Sequence, residues 1–221
     1  MTDIAGNIDY LKLQLPSSVK LVAVSKTKPV SDIMIAYNAG QRCFGENRVP
    51  ELMSKKDLIP KDVEWHFIGH LQSNKVKSLV PFVNIIQSVD SFKLLDSINS
   101  EALKINKSVD CLLQIHIATE ETKFGFSMTE LSDNLKTRDL SLLRNVRICG
   151  VMGMATFTSD SPQVKKEFGF LRDCFHLLKE KWFTSNICFK EISMGMSGDY
   201  KIAIEAGSTM IRIGSLIFGE R

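Results

Sequence analysis

Lys26 is the residue of this sequence best placed for covalent chemistry. It follows the apolar run 21–25, and strand alternation puts its side chain on the same face as Val22 and Val24. At the mouth of a closed sheet, partial loss of water lowers the pKa of an amine, and a nearby cation such as Arg212 lowers it further. A neutral amine attacks an aldehyde, so this position predicts a lysine that forms a Schiff base.

Lys28 is the second candidate for the same role. It shares the parity of Lys26, but it lies past the strand and directly before Pro29. A solvated lysine at the end of a strand is the simpler interpretation of either residue, because lysine side chains are mostly exposed. Residue type and position alone therefore leave the assignment open.

Two segments near the C-terminus, 193–201 and 207–215, combine glycines with hydroxyl side chains. Glycines allow backbone N–H groups to approach an anion closely, and Ser197 and Ser215 add hydroxyl donors. Parallel barrels often bind phosphate in the loops that follow their last two strands, and both segments fall there. Since Gly and Ser are also common turn residues, ordinary turns are the alternative interpretation.

Arg212 interrupts an apolar strand, where an unpaired guanidinium is costly to bury. We expect it to face a polar partner at the same mouth as Lys26. An acidic residue with a purely structural role is the alternative partner.

The sequence repeats a short β-branched run, a turn and a stretch with helical spacing, which is the pattern of parallel strands joined by crossover helices. A helix with regularly spaced apolar residues precedes the first strand. About eight such units predict an α/β fold, a single-domain (β/α)8 TIM barrel with an extra N-terminal helix over residues 1–221. A doubly wound open sheet is the structural alternative. The predicted strands are 21–26, 43–46, 65–69, 85–89, 111–117, 146–152, 188–193 and 210–213.

The composition is typical of a protein in water without a polyanionic partner. With 221 residues, 44% hydrophobic content and a net charge of +3, the chain can bury one sizeable core. No apolar run approaches the roughly 18 residues of a membrane span, and residues 1–10 lack the pattern of an export signal. We therefore expect a cytoplasmic chain with neither a nucleic-acid nor a membrane partner.

Cysteine and histidine usage predicts neither a disulfide framework nor a metal site. The five cysteines are an odd number without a CxxC pair, and most lie inside apolar runs, where a thiol behaves as a small hydrophobe. This usage fits a reducing compartment. The histidines lack the HExxH motif and any paired metal-ligand spacing. They are His66, His70, His116 and His176.

Five motifs occur in order along the chain: VSKTKP at 24–29, FGEN at 44–47, HFIGHLQ at 66–72, SMGMS at 193–197 and RIGS at 212–215. With these motifs the sequence resembles the pyridoxal 5′-phosphate (PLP) homeostasis protein family, the YggS/PROSC group. The resemblance extends from about residue 4 to residue 221.

The resemblance implies a fold like the PLP-binding barrel of alanine racemase (fold type III), with PLP held as a Schiff base on Lys26. It also implies that the phosphate lies against Ser197, Gly214 and Ser215, and that Arg212 faces the pyridine nitrogen. No catalytic residue is assigned. The expected cofactor contacts are Lys26, Asn47, Met194, Ser197, Arg212, Gly214 and Ser215.

The resemblance further implies a role in vitamin B6 homeostasis without established catalysis. Racemisation by this fold needs a second acid or base from another domain, whereas this sequence ends at Arg221 and none of its tyrosines has a clear claim to that role. We therefore expect a monomeric PLP carrier that supplies PLP-dependent apo-enzymes. A PLP-dependent amino-acid racemase is the main alternative, and a lysine aldolase acting on a phosphorylated sugar is a more remote one.

Overall fold

Eight parallel strands follow one another around a closed barrel. The computed structural model describes residues 2–120 and 124–220. The strands are β1 (Lys20–Val24), β2 (Cys43–Glu46), β3 (Glu64–Phe67), β4 (Ile85–Val89), β5 (Val109–Gln114), β6 (Val146–Met152), β7 (Glu191–Ser193) and β8 (Met210–Ile213). Pairing of β1 with β8 closes the barrel, with Ala23 opposite Ile213. The predicted barrel is therefore confirmed, and the open sheet is excluded.

Helices surround the barrel, and the predicted N-terminal helix precedes it. Short 3₁₀ turns occur at Ser73–Lys75 and Leu140–Leu142. Over residues 2–120 and 124–220, no helix is both long enough and apolar enough to span a bilayer. The helices are α1 (Ile4–Gln14), α2 (Val30–Asn38), α3 (Val49–Lys55), α4 (Val76–Leu79), α5 (Phe92–Lys104), α6 (Met128–Thr137), α7 (Ser161–Lys181), α8 (Tyr200–Glu205) and α9 (Ser215–Phe218).

Side-chain caps fix where three of the crossover helices begin. Ser91, Ser127 and Asp160 each accept a hydrogen bond from the backbone N–H three residues later. These bonds satisfy N–H groups that the first helical turn leaves unpaired. They limit the length of chain between a strand and its helix, and so shape the loops at the C-terminal end of the barrel.

Turn formation explains why several strands are shorter than predicted. β1 ends at Val24 because Lys28 N–H donates to the Ser25 carbonyl at 3.1 Å and Thr27 takes φ +65°. β7 begins at Glu191, since Cys188 N–H donates to the side chain of Asn186 and belongs to a turn. All eight strands occur where the sequence predicted them, and the differences are confined to their ends.

The barrel wall separates a large outer core from a mixed interior. The outer core lies between strands and helices and includes Phe44, Phe67 and Phe126. A smaller apolar cluster inside the barrel consists of Ile85, Leu112, Cys149 and Met152. Cys149 and Met152 share it although they lie three residues apart on β6, because the pairing of β5 with β6 shifts register after Cys111. Buried polar side chains occupy other interior positions, and such groups need hydrogen-bond partners. Among them are His66, Gln87, Ser193 and Arg212.

Candidate functional site

The turn after β1 carries Lys26 to the C-terminal mouth of the barrel. Val22 and Val24 share a face with Gly45 of β2, since a Cβ there would meet their methyl groups, and this is the inner face because Leu21 and Ala23 belong to the outer core. Alternation puts the half-buried Lys26 on this inner face and the fully buried Ser25 on the outer one. The amine that the sequence singled out therefore belongs to the mouth.

A buried ion-pair network stabilises this turn on the outer face of the barrel wall. Ser25 Oγ donates to Glu46 Oε1 at 2.6 Å, and Lys55 Nζ donates to the same oxygen at 2.8 Å and to the Ser25 carbonyl at 3.0 Å. Glu51 Oε1 accepts from Lys55 Nζ at 2.6 Å and from the backbone N–H of Thr27 at 2.5 Å. Burial raises the pKa of Glu46, while Lys55 and Ser25 act in the opposite direction. Sequence analysis assigned no role to Lys55, which is the centre of this network.

The amine of Lys28, the second candidate, is committed to the C-terminal turn. Its Nζ donates to the carbonyl oxygens of Phe218, Gly219 and Glu220 at 2.9, 3.1 and 3.2 Å. Three carbonyl acceptors use all three N–H donors of the ammonium group and hold it at this turn. Geometry therefore favours Lys26 over Lys28 as the imine-forming residue.

Arg212 lies inside the barrel on β8, with 4% of its surface exposed. Its Nη1 donates to Ser193 Oγ at 2.6 Å and its Nη2 to the Gly153 carbonyl at 3.0 Å, so these two bonds go to neutral oxygens instead of an acid. Burial lowers the pKa of the guanidinium to about 10, and it stays charged at pH 7. The expected polar surroundings of Arg212 are thus present.

A chain of hydrogen bonds continues from Arg212 down the interior of the barrel. Because Arg212 can only donate, Ser193 Oγ gives its proton to Gln87 Oε1 at 2.6 Å. The amide nitrogen of Gln87 is thereby turned towards His66 Nδ1, at 2.8 Å, and the Met210 sulfur, at 3.0 Å. This arrangement places the His66 proton on Nε2. Sequence analysis missed Gln87, although a glutamine within an apolar strand was a usable signal.

The loops after β7 and β8 meet beside the end of β1. The backbone N–H of Gly214 donates to Ser197 Oγ at 3.3 Å. A Cβ on Gly214 would lie 3.3 Å from the Val24 carbonyl, so glycine permits this close approach. Gly195 takes φ +97° in the first loop, and Ser215 begins α9 with an exposed side chain. The proposed anion loops are adjacent to the Lys26 turn.

Asn47 and Met194, the remaining expected contacts, differ in position. Asn47 directly follows β2 and is half-buried, and Gly69 packs so closely on its backbone that a Cβ there would lie 2.2 Å from the Asn47 carbonyl. Met194 is fully buried in the outer core, its N–H donates to the Met210 carbonyl, and its carbonyl accepts from Ser208. The side chain of Met194 and these backbone groups are therefore bonded or packed within the protein, and its role as a cofactor contact stays a prediction.

An aromatic contact forms part of the mouth's rim. The rings of His70 and Phe124 stack with centroids 3.8 Å apart and planes 13° apart. Asp90 Oδ2 lies 2.8 Å from His70 Nδ1, and Gln114 Nε2 donates to the Phe124 carbonyl at 2.7 Å. These contacts join the loops after β3, β4 and β5 and fix the orientation of the His70 ring.

Fold and site together define a parallel barrel with a mouth lysine and a serine–glycine loop pair beside it. The family model described as alanine racemase, N-terminal domain, matches residues 1–221. This match agrees with the closed barrel and its leading helix. The chain is therefore a barrel of the alanine racemase N-terminal domain class.

Curated relatives narrow the class to one family. A Synechocystis protein named pyridoxal phosphate homeostasis protein is 41% identical over 209 residues, which are 94% of either chain. A human protein of the same name is 39% identical over 224 residues, covering 91% of this chain and 76% of the human one. The chain belongs to the pyridoxal phosphate homeostasis protein family.

Solved structures agree with both assignments. PipY of Synechococcus elongatus, solved with PLP bound, has a TM-score of 0.89 and 36% identity, covering 98% of this chain and all of PipY. Alanine racemase of Clostridium difficile has a TM-score of 0.74 and 13% identity, covering 99% of this chain and 56% of the racemase. The racemase shows likeness of fold alone, whereas PipY supports the family.

Proposed function

We propose that this protein binds PLP at the C-terminal mouth, through a Schiff base between Lys26 and the cofactor aldehyde. The observation that carries the proposal is the different position of two lysines. Lys28 Nζ donates to three backbone carbonyls, whereas Lys26 lies at the mouth, in the turn that the bond between Ser25 and Glu46 stabilises. PipY, solved with PLP bound, supports PLP as the ligand. PLP supplies an electrophilic aldehyde, a phosphate and a pyridine ring.

The residues around Lys26 fit the other two parts of PLP. Ser197 Oγ and the Gly214 N–H are now bonded to each other, and a phosphate oxygen is a stronger acceptor for both. Ser215 begins the next helix and adds a hydroxyl. Arg212 can only donate hydrogen bonds, so it suits an unprotonated pyridine nitrogen, and Asn47 completes the proposed set.

We propose a carrier rather than an enzyme. An unprotonated pyridine nitrogen withdraws electrons weakly, which disfavours carbanion chemistry on a bound amino acid, although it does not exclude racemisation. The homeostasis names of the Synechocystis and human relatives support the carrier role. The proposal includes a single PLP-binding barrel domain over residues 1–221, a cytoplasmic location, a monomeric state and PLP-dependent apo-enzymes as recipients.

Borohydride reduction followed by peptide mapping tests the binding mode. We expect the purified chain with PLP to absorb in the visible, near about 420 nm as PLP imines do, and reduction to fix the label on Lys26. Lys28→Ala is the matched control and should be labelled at the same position. A label on Lys28 in the unmodified chain would refute the assignment.

Transfer and turnover assays separate carrier from enzyme. The PLP-loaded chain, mixed with a PLP-dependent apo-enzyme, should restore its activity in proportion to the PLP supplied. Amino acids incubated with the loaded chain should keep their configuration, as chiral chromatography would show. Sustained racemisation by the pure protein would overturn the carrier proposal while leaving the binding site intact.

A further inference from the structure

Three side chains of unlike chemistry converge at the N-terminal end of the barrel, opposite the mouth. Cys43 Sγ lies 3.0 Å from Glu64 Oε2 and 3.3 Å from His66 Nε2. Glu64 Oε2 and His66 Nε2 are 3.9 Å apart. These atoms form a compact triangle of one sulfur, one nitrogen and one oxygen.

Strand register brings the three residues together. Cys43 and Glu64 begin β2 and β3 and lie directly opposite each other, and His66 follows Glu64 by two residues on the same face. Zinc bonds of about 2.3 Å to sulfur and about 2.0 Å to nitrogen or oxygen place tetrahedral ligands roughly 3.3–3.5 Å apart. The measured separations of 3.0, 3.3 and 3.9 Å differ from these edges by up to about 0.6 Å, which small side-chain rotations cover.

Burial and access also suit an ion. Cys43 and His66 are buried, whereas the Glu64 side chain is 46% exposed and reaches solvent. A cavity of about 320 Å³ borders the triangle, and its lining includes Cys43 and Glu64 together with the cationic residues Lys12, Lys20 and Arg42. It provides an entry path and room for a water ligand, which an open zinc-type site requires.

We propose that Cys43, Glu64 and His66 form a binding site for a divalent transition-metal ion of the zinc type, with water from the cavity as fourth ligand. Cys43 loses its thiol proton to solvent when the metal–sulfur bond forms. The ring proton of His66 moves from Nε2 to Nδ1, and Gln87 turns its amide oxygen to accept it, so that its amide nitrogen then donates to Ser193 Oγ. Metal-bound histidines usually donate to such an acceptor.

Lys20 competes with the ion for the same carboxylate. Its Nζ lies 3.0 Å from Glu64 Oε2, and a dication at the triangle would be repelled by this charge. The carboxylate of Glu191 on β7 also attracts this ammonium group through space, as Glu64 does. Lys20 therefore sets the affinity of the site without belonging to its ligands.

The sequence did not predict this site, because the histidines lack any paired metal-ligand spacing and therefore indicated that no metal is bound. The ligands come from two strands, and only the register of β2 against β3 places Cys43 beside Glu64. Cys43 is far from Glu64 and His66 along the chain, so the three ligands form no contiguous motif.

A Co²⁺ titration of the full chain, treated first with a chelator, tests the proposal. Difference spectra cancel the bands of any bound cofactor, so cobalt bands are seen alone. We expect a thiolate-to-cobalt charge-transfer band that saturates at one ion per chain and disappears when Zn²⁺ is added. A titration without a thiolate band would overturn the proposal.

Three variants sharpen the titration. Cys43→Ser should weaken Co²⁺ binding at least about tenfold and abolish the thiolate band. Cys149→Ser is the matched control, because Cys149 is also a buried strand cysteine, and it should bind as the unmodified chain does. Lys20→Met should bind Co²⁺ about tenfold more tightly, since it removes the competing charge. If Cys43→Ser does not fold, unchanged or weaker binding in Lys20→Met contradicts the proposal.

Discussion

The two ends of the barrel present opposite chemistry. The C-terminal mouth offers donors and cations, namely Lys26, Arg212 and the Gly214 N–H, beside loops that follow strands. The N-terminal end offers a thiol, a carboxylate and an imidazole that lie on the strands themselves. A mouth of donors suits a phosphorylated, acceptor-rich ligand, whereas the ligands at the other end suit a cation. One scaffold thus presents two ends of opposite polarity.

The two ends are connected through the barrel interior. Arg212, Ser193, Gln87 and His66 form a continuous series of hydrogen bonds from one site to the other. Each member has a neighbour on both sides, so a change of donor and acceptor at one end must be accommodated by the next residue. Substitutions at either end of this hydrogen-bond series, or in its middle, therefore test the comparison between the two ends of the barrel.

Lys26→Ala should cause the largest effect, and only at the mouth. Loss of the amine removes the Schiff base, so visible absorption with PLP should vanish while Co²⁺ affinity stays unchanged. Thermal unfolding should show the same fold. Lys28→Ala, the matched control, should keep the absorption but lose about 1.5–3 kcal/mol of unfolding free energy, because three carbonyls lose a charged donor. Visible absorption retained by Lys26→Ala would contradict the assignment of the Schiff base to Lys26.

Lys55→Met tests the support of the mouth turn. It leaves Glu46, which is fully buried, without its cation, and we expect about 3–5 kcal/mol lower unfolding free energy in urea. Lys56→Met is the control, since Lys56 pairs with the exposed Asp57 and should contribute about 0–1 kcal/mol. Equal losses in both variants would show that the Lys55 network does not stabilise the turn.

Gln87→Leu cuts the connection in the middle. The hydroxyl of Ser193 and Nδ1 of His66 each lose a partner, at a cost of about 1–3 kcal/mol per group. Because His66 also loses its proton acceptor, Co²⁺ affinity should fall about 10–100-fold. Gln114→Leu is the control: this buried glutamine bonds the Phe124 carbonyl instead and should leave the Co²⁺ affinity unchanged. Equal Co²⁺ binding in both variants would contradict the proposed role of Gln87.

Apolar runs in the sequence located all eight strands, and the structure confirms them. The same pattern singled out Lys26, Asn47 and Arg212, which interrupt or end such runs and whose roles as cofactor contacts stay predictions. Strand ends were less accurate, because local turn bonds such as that of Lys28 to Ser25 leave no periodic signal.

Tertiary arrangement decided the rest of the candidate site. Met194 shares a motif with Ser197, yet alternation turns its side chain into the outer core. Lys55 became the support of the turn only through the packing of α3 on β2. Cys43 lies beside His66 because of the register between β2 and β3, which no single segment of the sequence encodes.

Ser197→Ala should cause the smallest effect and define which part of PLP the mouth loops bind. The variant loses the hydroxyl that now bonds the Gly214 N–H, worth about 0.5–1.5 kcal/mol or several-fold in affinity. PLP release should therefore quicken several-fold, as stopped-flow absorption would measure, while Lys26 still forms an imine. Pyridoxal, which lacks the phosphate, is the internal control and should bind both proteins equally. An equal loss for pyridoxal and PLP would mean that Ser197 supports the mouth's structure rather than the phosphate, which would then be bound by the Gly214 N–H and Ser215.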